Sequence, residues 1–156
     1  MSPAPADPTL LTRLLTRAVD AAARADADGF GAATADLAAF DAEQARVVLG
    51  WVLRRSLEEQ HPDGLDADDL RAAVTATAGR AGWFAELDPR VLVVVLVAAL
   101  GEHPDPEEVP RLGHTLVLAH ALLLVHDLAT GPGRPLRRAL DPALAEVRRA
   151  ETMEMP

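Results

Sequence analysis

The chain has 156 residues and a formal net charge of −9 at pH 7, and 49% of its residues are apolar. Lysine, asparagine, tyrosine, isoleucine and cysteine are absent, which excludes a P-loop or Schiff-base lysine, a thiolate nucleophile, a cysteine metal cluster and a tyrosine acid or base. An acidic chain without a basic stripe is also poorly suited to bind nucleic acid, because the affinity of proteins for nucleic acid depends on neutralising its phosphates.

The length and the apolar content predict one all-α domain, a helical bundle of about six to seven helices. A chain of this size buries about two-thirds of the surface that it exposes when unfolded, so it needs no disulfide. We expect a disordered Pro/Ala tail at 1–6, the helical bundle at 7–130, and a Gly/Pro hinge with a basic C-terminal helix at 131–156. The absent residue types mostly have AT-rich codons, which indicates a bacterium with a GC-rich genome.

Helix start signals recur along the chain. Asp-Pro pairs at 7–8, 88–89 and 141–142 each place an N-cap residue before a proline in the first turn. Acceptors three residues apart, at 41 and 44 and at 66 and 69, have the spacing of a capping box. With the stops at 28–29, 61–64, 101–110 and 130–135, these signals predict helices at about 8–27, 32–40, 42–60, 67–80, 89–100, 110–129 and 142–152.

The apolar run at 91–97 is rich in valine and has the composition of a buried strand. A lone strand leaves its backbone groups unpaired, and no other segment offers a partner. We therefore predict a fully buried helix at 89–100, which forms the centre of the bundle together with 110–129. The longest uncharged apolar run has eleven residues, at 91–101, too few to cross a membrane, and no segment has the pattern of a signal peptide. We expect no membrane partner and a cytoplasmic location.

Three histidines, His114, His120 and His126, follow one another at intervals of six residues. At about 100° per residue they point in three directions, so one helix cannot bring them to one metal ion. His120 and Asp127 share a face but lie ~10 Å apart along the axis. We expect separately satisfied or exposed histidines, no metal and no cofactor.

The helix at 42–60 has a second apolar face. Val47 and Trp51 lie opposite the stripe that begins at Ala45, among Arg54 and Arg55. Tryptophan beside arginine is typical of a protein-interface hot spot. The alternative is that this helix packs on both sides within one domain, with Trp51 as ordinary core.

Charge is distributed unevenly along the chain. Residues 1–130 hold ten arginines and twenty acids, whereas 131–149 hold five arginines, Arg137 and Arg138 among them, and two acids. The basic C-terminal helix can dock on its own acidic body or on that of a neighbour, and docking on its own body is the favoured interpretation.

These patterns favour a non-enzymatic interaction protein that forms a homodimer. Two alternatives stay open: a bundle that encloses a small apolar ligand or cofactor with His120 and Asp127 as polar anchors, and a metal-dependent enzyme that uses the three histidines with groups from other helices. The partner is a protein or a second copy of this chain, and the expected interface consists of Val47, Trp51, Arg54, Arg55, Arg137 and Arg138.

Overall fold

A computed structural model describes residues 7–102 and 111–153, and every regular element in those ranges is a helix. The predicted all-α bundle is confirmed. Residues 1–6, expected to form a disordered tail, lie outside the described residues. The helices are α1 (Pro8–Ala23), α2 (Ala27–Gln60), α3 (Ala67–Arg80), α4 (Pro89–Ala99), α5 (His114–Ala129) and α6 (Leu136–Met153).

Aspartate caps begin three of the helices where the sequence predicts them. The Asp7 and Asp88 carboxylates accept hydrogen bonds from the amide two residues further on, at 2.9 and 3.0 Å. Asp66 and Asp69 form a capping box, each carboxylate accepting from the other residue's amide at 2.9 and 3.0 Å. These contacts satisfy amides that a helix N-terminus otherwise leaves unpaired.

The helices predicted at 32–40 and 42–60 are the two halves of α2. The backbone of Asp41 is extended (φ −167°, ψ 90°), and its carboxylate accepts from the Gln44 amide at 2.9 Å, so Asp41 caps the second half. The first half begins earlier than predicted, because Asp26 caps it through the Gly29 amide at 3.0 Å. The stop predicted at 28–29 is therefore wrong, and α1 ends at Ala23.

The C-terminal helix also begins earlier than predicted. It begins at Leu136, and Pro142 lies inside it, so the N-cap role expected of Asp141 is wrong. A proline inside a helix removes one backbone hydrogen bond. Leu136 and Leu140 are both buried, and burying these side chains requires the additional N-terminal turn.

Helix α5 lies at the centre of the bundle and contacts the other five described helices. Its residues 117–125 are all buried, as the sequence predicts. The prediction that α4 is fully buried is wrong: Val91 and Leu92 are buried, but Val93 is 47% exposed. Helix α4 packs against α2, α3 and α5 on one side, and its other side has no described helix against it.

The basic C-terminal helix docks on the body of its own chain. It packs against α1, α2 and α5 through a buried stripe that includes Leu140, Ala143 and Val147. Arg137 and Arg138 are both exposed. No helix among the described residues is long and apolar enough to cross a membrane.

The break in α2 predicts the effect of Asp41→Ala. Loss of the cap should lower the free energy of unfolding by about 1 kcal/mol, measured by urea denaturation. Asp20→Ala is the matched control, because Asp20 is exposed on α1 and its side chain makes no hydrogen bond or ion pair with the described residues. Equal effects of the two substitutions would contradict the capping role.

The position of Pro142 inside α6 predicts that Pro142→Ala stabilises the protein. The new amide can donate to the Arg138 carbonyl, and removing a proline from a helix interior gains about 1–3 kcal/mol. Pro135→Ala is the control, because residue 135 precedes the helix and gains no such bond. Urea denaturation measures both, and hydrogen exchange should show a protected amide at residue 142. A destabilised Pro142→Ala variant with an unprotected amide would contradict this helix boundary.

Candidate interaction groove

The second half of α2 has one face in the core and another on the surface. Its core face is fully buried at Val48, Leu49 and Leu53. On the opposite side, Val47 is 43% exposed and Trp51 is 38% exposed. The second apolar face predicted from the sequence is therefore present, and Trp51 is not an ordinary core residue.

This outer face forms one wall of a groove of about 1060 Å³ between α2 and α4. The α2 wall includes Val47 and Trp51, and Val94 belongs to the α4 wall. Val117 and Ala121 of α5 are buried, and they line the floor. Apolar side chains from three helices therefore meet along one open depression.

Charged side chains border the groove. Arg54 pairs with Glu58 at 3.0 Å and Arg55 pairs with Glu59 at 3.1 Å, one turn apart on α2. All four side chains are more than half exposed, so water screens both pairs and each contributes little to stability. Two further charged residues, Arg46 and Glu102, also line the groove.

The structure brings most of the predicted interface residues together. Val47, Trp51, Arg54 and Arg55 all line this groove. Arg138 lines a neighbouring depression on the other side of Trp51, whereas Arg137 lines neither of the two. The interface itself stays a prediction.

The α4 wall is the part that sequence reasoning missed. Val94 and Ala98 line the groove, and Val93 beside them is exposed. A helix that is apolar all round is typical of complete burial, and α4 has that composition. Its sequence carries no signal that distinguishes an exposed apolar face from a covered one.

His120, a candidate ligand anchor, is part of the core. It is completely buried, its Nε2 accepts the Asp88 amide at 2.9 Å, and its Nδ1 lies 2.8 Å from the Leu116 carbonyl. These partners define a neutral ring with the proton on Nδ1. The Phe84 ring packs edge-on against it at 5.7 Å. Both ring nitrogens therefore already have backbone partners.

Burial lowers the pKa of His120 below 6.5, although the Leu116 carbonyl and the carboxylates of Asp88 and Glu86 act in the opposite direction. A protonated ring could no longer accept the Asp88 amide through Nε2. Burial of the ring and the hydrogen bond from the Asp88 amide therefore both favour the neutral imidazole in the folded protein.

Asp127, the second candidate anchor, has partners of its own. Its nearly buried carboxylate lies 3.2 Å from Nδ1 of His126 and 3.8 Å from a guanidinium nitrogen of Arg80. Burial raises the pKa of Asp127. The opposite effect comes from interactions of the carboxylate with His126, Thr77 and Arg80, which together outweigh burial and lower the pKa below 3.8. The buried Thr77 hydroxyl lies near enough to contribute, although it has no hydrogen-bond partner of ordinary geometry. Asp127 and His120 thus contact different groups.

The three histidines of α5 are also separate. His114 is exposed, His120 is buried and His126 is half-buried. Within residues 7–102 and 111–153, no group of three or more histidine, aspartate and glutamate side chains could hold a metal ion. The hypotheses of a ligand-enclosing bundle and of a metal-dependent enzyme thus gain no support from these contacts.

The buried neutral His120 predicts a pH dependence of stability. As the pH falls, the unfolded chain binds the proton near pH 6.5, before the folded protein does. The stabilisation that neutral His120 provides is therefore complete above about pH 7. Below pH 6.5 the free energy of unfolding falls by up to about 1.4 kcal/mol per pH unit, until the pH reaches the lower pKa of His120 in the folded protein. Urea denaturation between pH 7.5 and about 5 should show this loss in the wild type.

His120→Gln should remove this pH-dependent part of the unfolding free energy, besides destabilising the protein by about 1–3 kcal/mol. His114→Gln is the control, because His114 is exposed on the same helix. A variant that keeps the wild-type slope between pH 7 and 5 would show that another group binds the proton.

The groove between α2 and α4 combines an apolar lining with charges of both signs along its edge. This arrangement differs from an ordinary solvated helix face, which carries few large exposed apolar side chains. No protein-family model, curated protein or solved structure matches the chain, so its function is inferred from the geometry of this groove.

Proposed function

We propose that the chain is a non-enzymatic interaction protein that forms a two-fold homodimer through the groove between α2 and α4. The observation that carries this proposal is the exposure of Val47 and Trp51 on a groove whose opposite wall is also apolar. The cytoplasmic location expected from the sequence stays a prediction.

The apolar lining supports binding to a protein surface. Trp51 stands between Val47 and the arginines Arg54 and Arg55 on α2, and Val94 faces it from α4. A contiguous apolar patch with a polar rim marks an interaction site, and hot spots are enriched in tryptophan and arginine. Covering the groove would remove these side chains from water and stabilise the complex.

The charges on the rim favour a second copy as the occupant. In a two-fold interface the same patch meets itself, so it must supply both members of every ion pair. This rim has three arginines and three glutamates: Arg46, Arg54, Arg55, Glu58, Glu59 and Glu102. A two-fold axis through the groove can place arginines of one copy opposite glutamates of the other, whereas a partner of one charge sign would meet repulsion along half of the rim.

The existing pairs on α2 do not oppose this exchange. Exposed pairs one helical turn apart typically contribute only about 0.3–0.5 kcal/mol. Arg54 and Arg55 can therefore turn from Glu58 and Glu59 toward the second copy at little cost. The apolar contacts supply the affinity, and the charges determine the register.

The dimer proposal predicts that the wild type sediments as a dimer at high micromolar concentration. Trp51→Ala removes one hot-spot side chain from each copy, and at about 2 kcal/mol for each of the two side chains it should weaken the dimer by about 1,000-fold. Val47→Arg should give a monomer, because a charge would be buried in the groove without a partner. Sedimentation velocity over a concentration series measures the dissociation constants.

Val93→Arg is the matched control for these variants. Val93 is as exposed as Val47 but does not line the groove, so its replacement should leave the dissociation constant within about twofold. Circular dichroism and urea denaturation check that every variant folds. A monomeric wild type at all concentrations, or equal disruption by Val47→Arg and Val93→Arg, would overturn the proposal.

A further inference from the structure

We infer that a second depression, between α2 and the beginning of α6, binds a small organic anion with a flat apolar body. Its volume is about 430 Å³, within the range of about 300–1,000 Å³ that is typical of small-molecule sites. Trp51 separates it from the groove between α2 and α4 and lines both. Trp51, Arg55 and Glu59 line both sites, but the other lining residues belong to neither wall of that groove, so the site is tested in chains that dimerise and in chains that do not. We call this depression the arginine pocket.

Positive charge predominates in the arginine pocket. Arg55, Arg134 and Arg138 line it, and its only acidic lining residue, Glu59, is paired with Arg55 at 3.1 Å. The side chains of Arg134 and Arg138 make no ion pair or hydrogen bond with the described residues. In a chain of net charge −9, two arginines without a partner in a concave site favour an anionic ligand.

Ser56 provides an independent indication of a ligand. It is only 6% exposed and lines the pocket, but its hydroxyl has no hydrogen-bond partner among the described residues. Thr77 holds the one unpartnered side-chain oxygen of those residues that is completely closed off from solvent. The Ser56 hydroxyl is therefore not completely closed off, and because Ser56 lines the pocket, this hydroxyl can donate a hydrogen bond to an anion there.

The backbone of α6 adds to the preference of the pocket for an anion. Helix α6 has 18 residues and begins at Leu136, directly after Pro135, which lines the pocket. The N-terminus of a helix carries partial positive charge, which favours an anion bound nearby. The Arg138 amide is already paired with the Pro135 carbonyl at 3.1 Å, so the helix adds its dipole and not a free amide. The pocket therefore combines guanidinium groups and a hydroxyl next to the N-terminal end of α6.

The remaining lining defines the rest of the ligand. Trp51 and Val52 form the apolar side on α2, and Ala139 and Ala143 face them from α6. The small alanine side chains leave room for a flat ring to lie against the indole. Arginine binds carboxylates and phosphates through two parallel hydrogen bonds. The ligand class is thus a flat apolar or aromatic body with a carboxylate or phosphate head group.

Calorimetric titration of the full chain with three probes tests this site. Naphthalene-2-carboxylate should bind saturably, with one site per chain and a dissociation constant below about 1 mM. 2-Naphthylmethanol, which has the same rings without the charge, should bind at least about tenfold more weakly, and so should inorganic phosphate, which lacks the rings. A fourth arm with 2-naphthyl phosphate then shows which head group is preferred.

Neighbouring arginines on α6 provide the matched variants. Arg138→Gln should weaken binding of naphthalene-2-carboxylate by about tenfold or more, and Ser56→Ala by about threefold or more. Arg137→Gln should leave it within about twofold, because Arg137 is exposed on the same helix but does not line the pocket. Each titration is repeated in the Val47→Arg background, because Val47 lines the groove between α2 and α4 but not the arginine pocket. Binding of the probe can then be measured separately from dimer formation.

Three results would overturn the inference. They are the absence of saturable binding up to about 10 mM probe, equal binding of the charged and uncharged naphthalene probes, and equal losses in Arg137→Gln and Arg138→Gln.

Discussion

The complete burial of α5 constrains the rest of the structure. Nine consecutive residues, 117–125, are shielded from water, and a helix that is apolar on every side must be covered on every side. The other five described helices supply that cover. Helices α2 and α4 both contact α5 and leave between them the groove whose floor includes Val117 and Ala121. The candidate interaction groove is therefore a consequence of how α5 is covered.

His120 shows how a polar side chain is accommodated in this apolar helix. Its ring accepts the Asp88 amide and donates to the Leu116 carbonyl, so no ring nitrogen is left unpaired. Asp88 is the N-cap of α4, and the imidazole thereby connects the centre of α5 to the beginning of α4. His120, which the sequence suggested as a ligand anchor, thus has a structural role. It holds the beginning of α4, and α4 forms one wall of the groove.

The outer face of α2 serves two surface sites. Trp51 lies between them, with apolar residues of α4 on one side and the basic start of α6 on the other. The contrast in lining follows from the charge distribution, because five arginines fall within 131–149 and this segment docks against α2. One site has the chemistry of a protein interface, and the other has the chemistry of a small anion site.

The sequence by itself determined the fold class, most of the helix starts and the outer face of α2. Caps at Asp7, Asp41, Asp66 and Asp88 depend on hydrogen bonds that span two or three residues, so local spacing is enough to predict them. Tertiary structure alone decided the rest. Pro142 lies inside a helix, one side of α4 is exposed, and the α4 wall faces Trp51 because of what each helix packs against. Burial depends on residues distant in the chain, and no local pattern specifies which apolar face is covered.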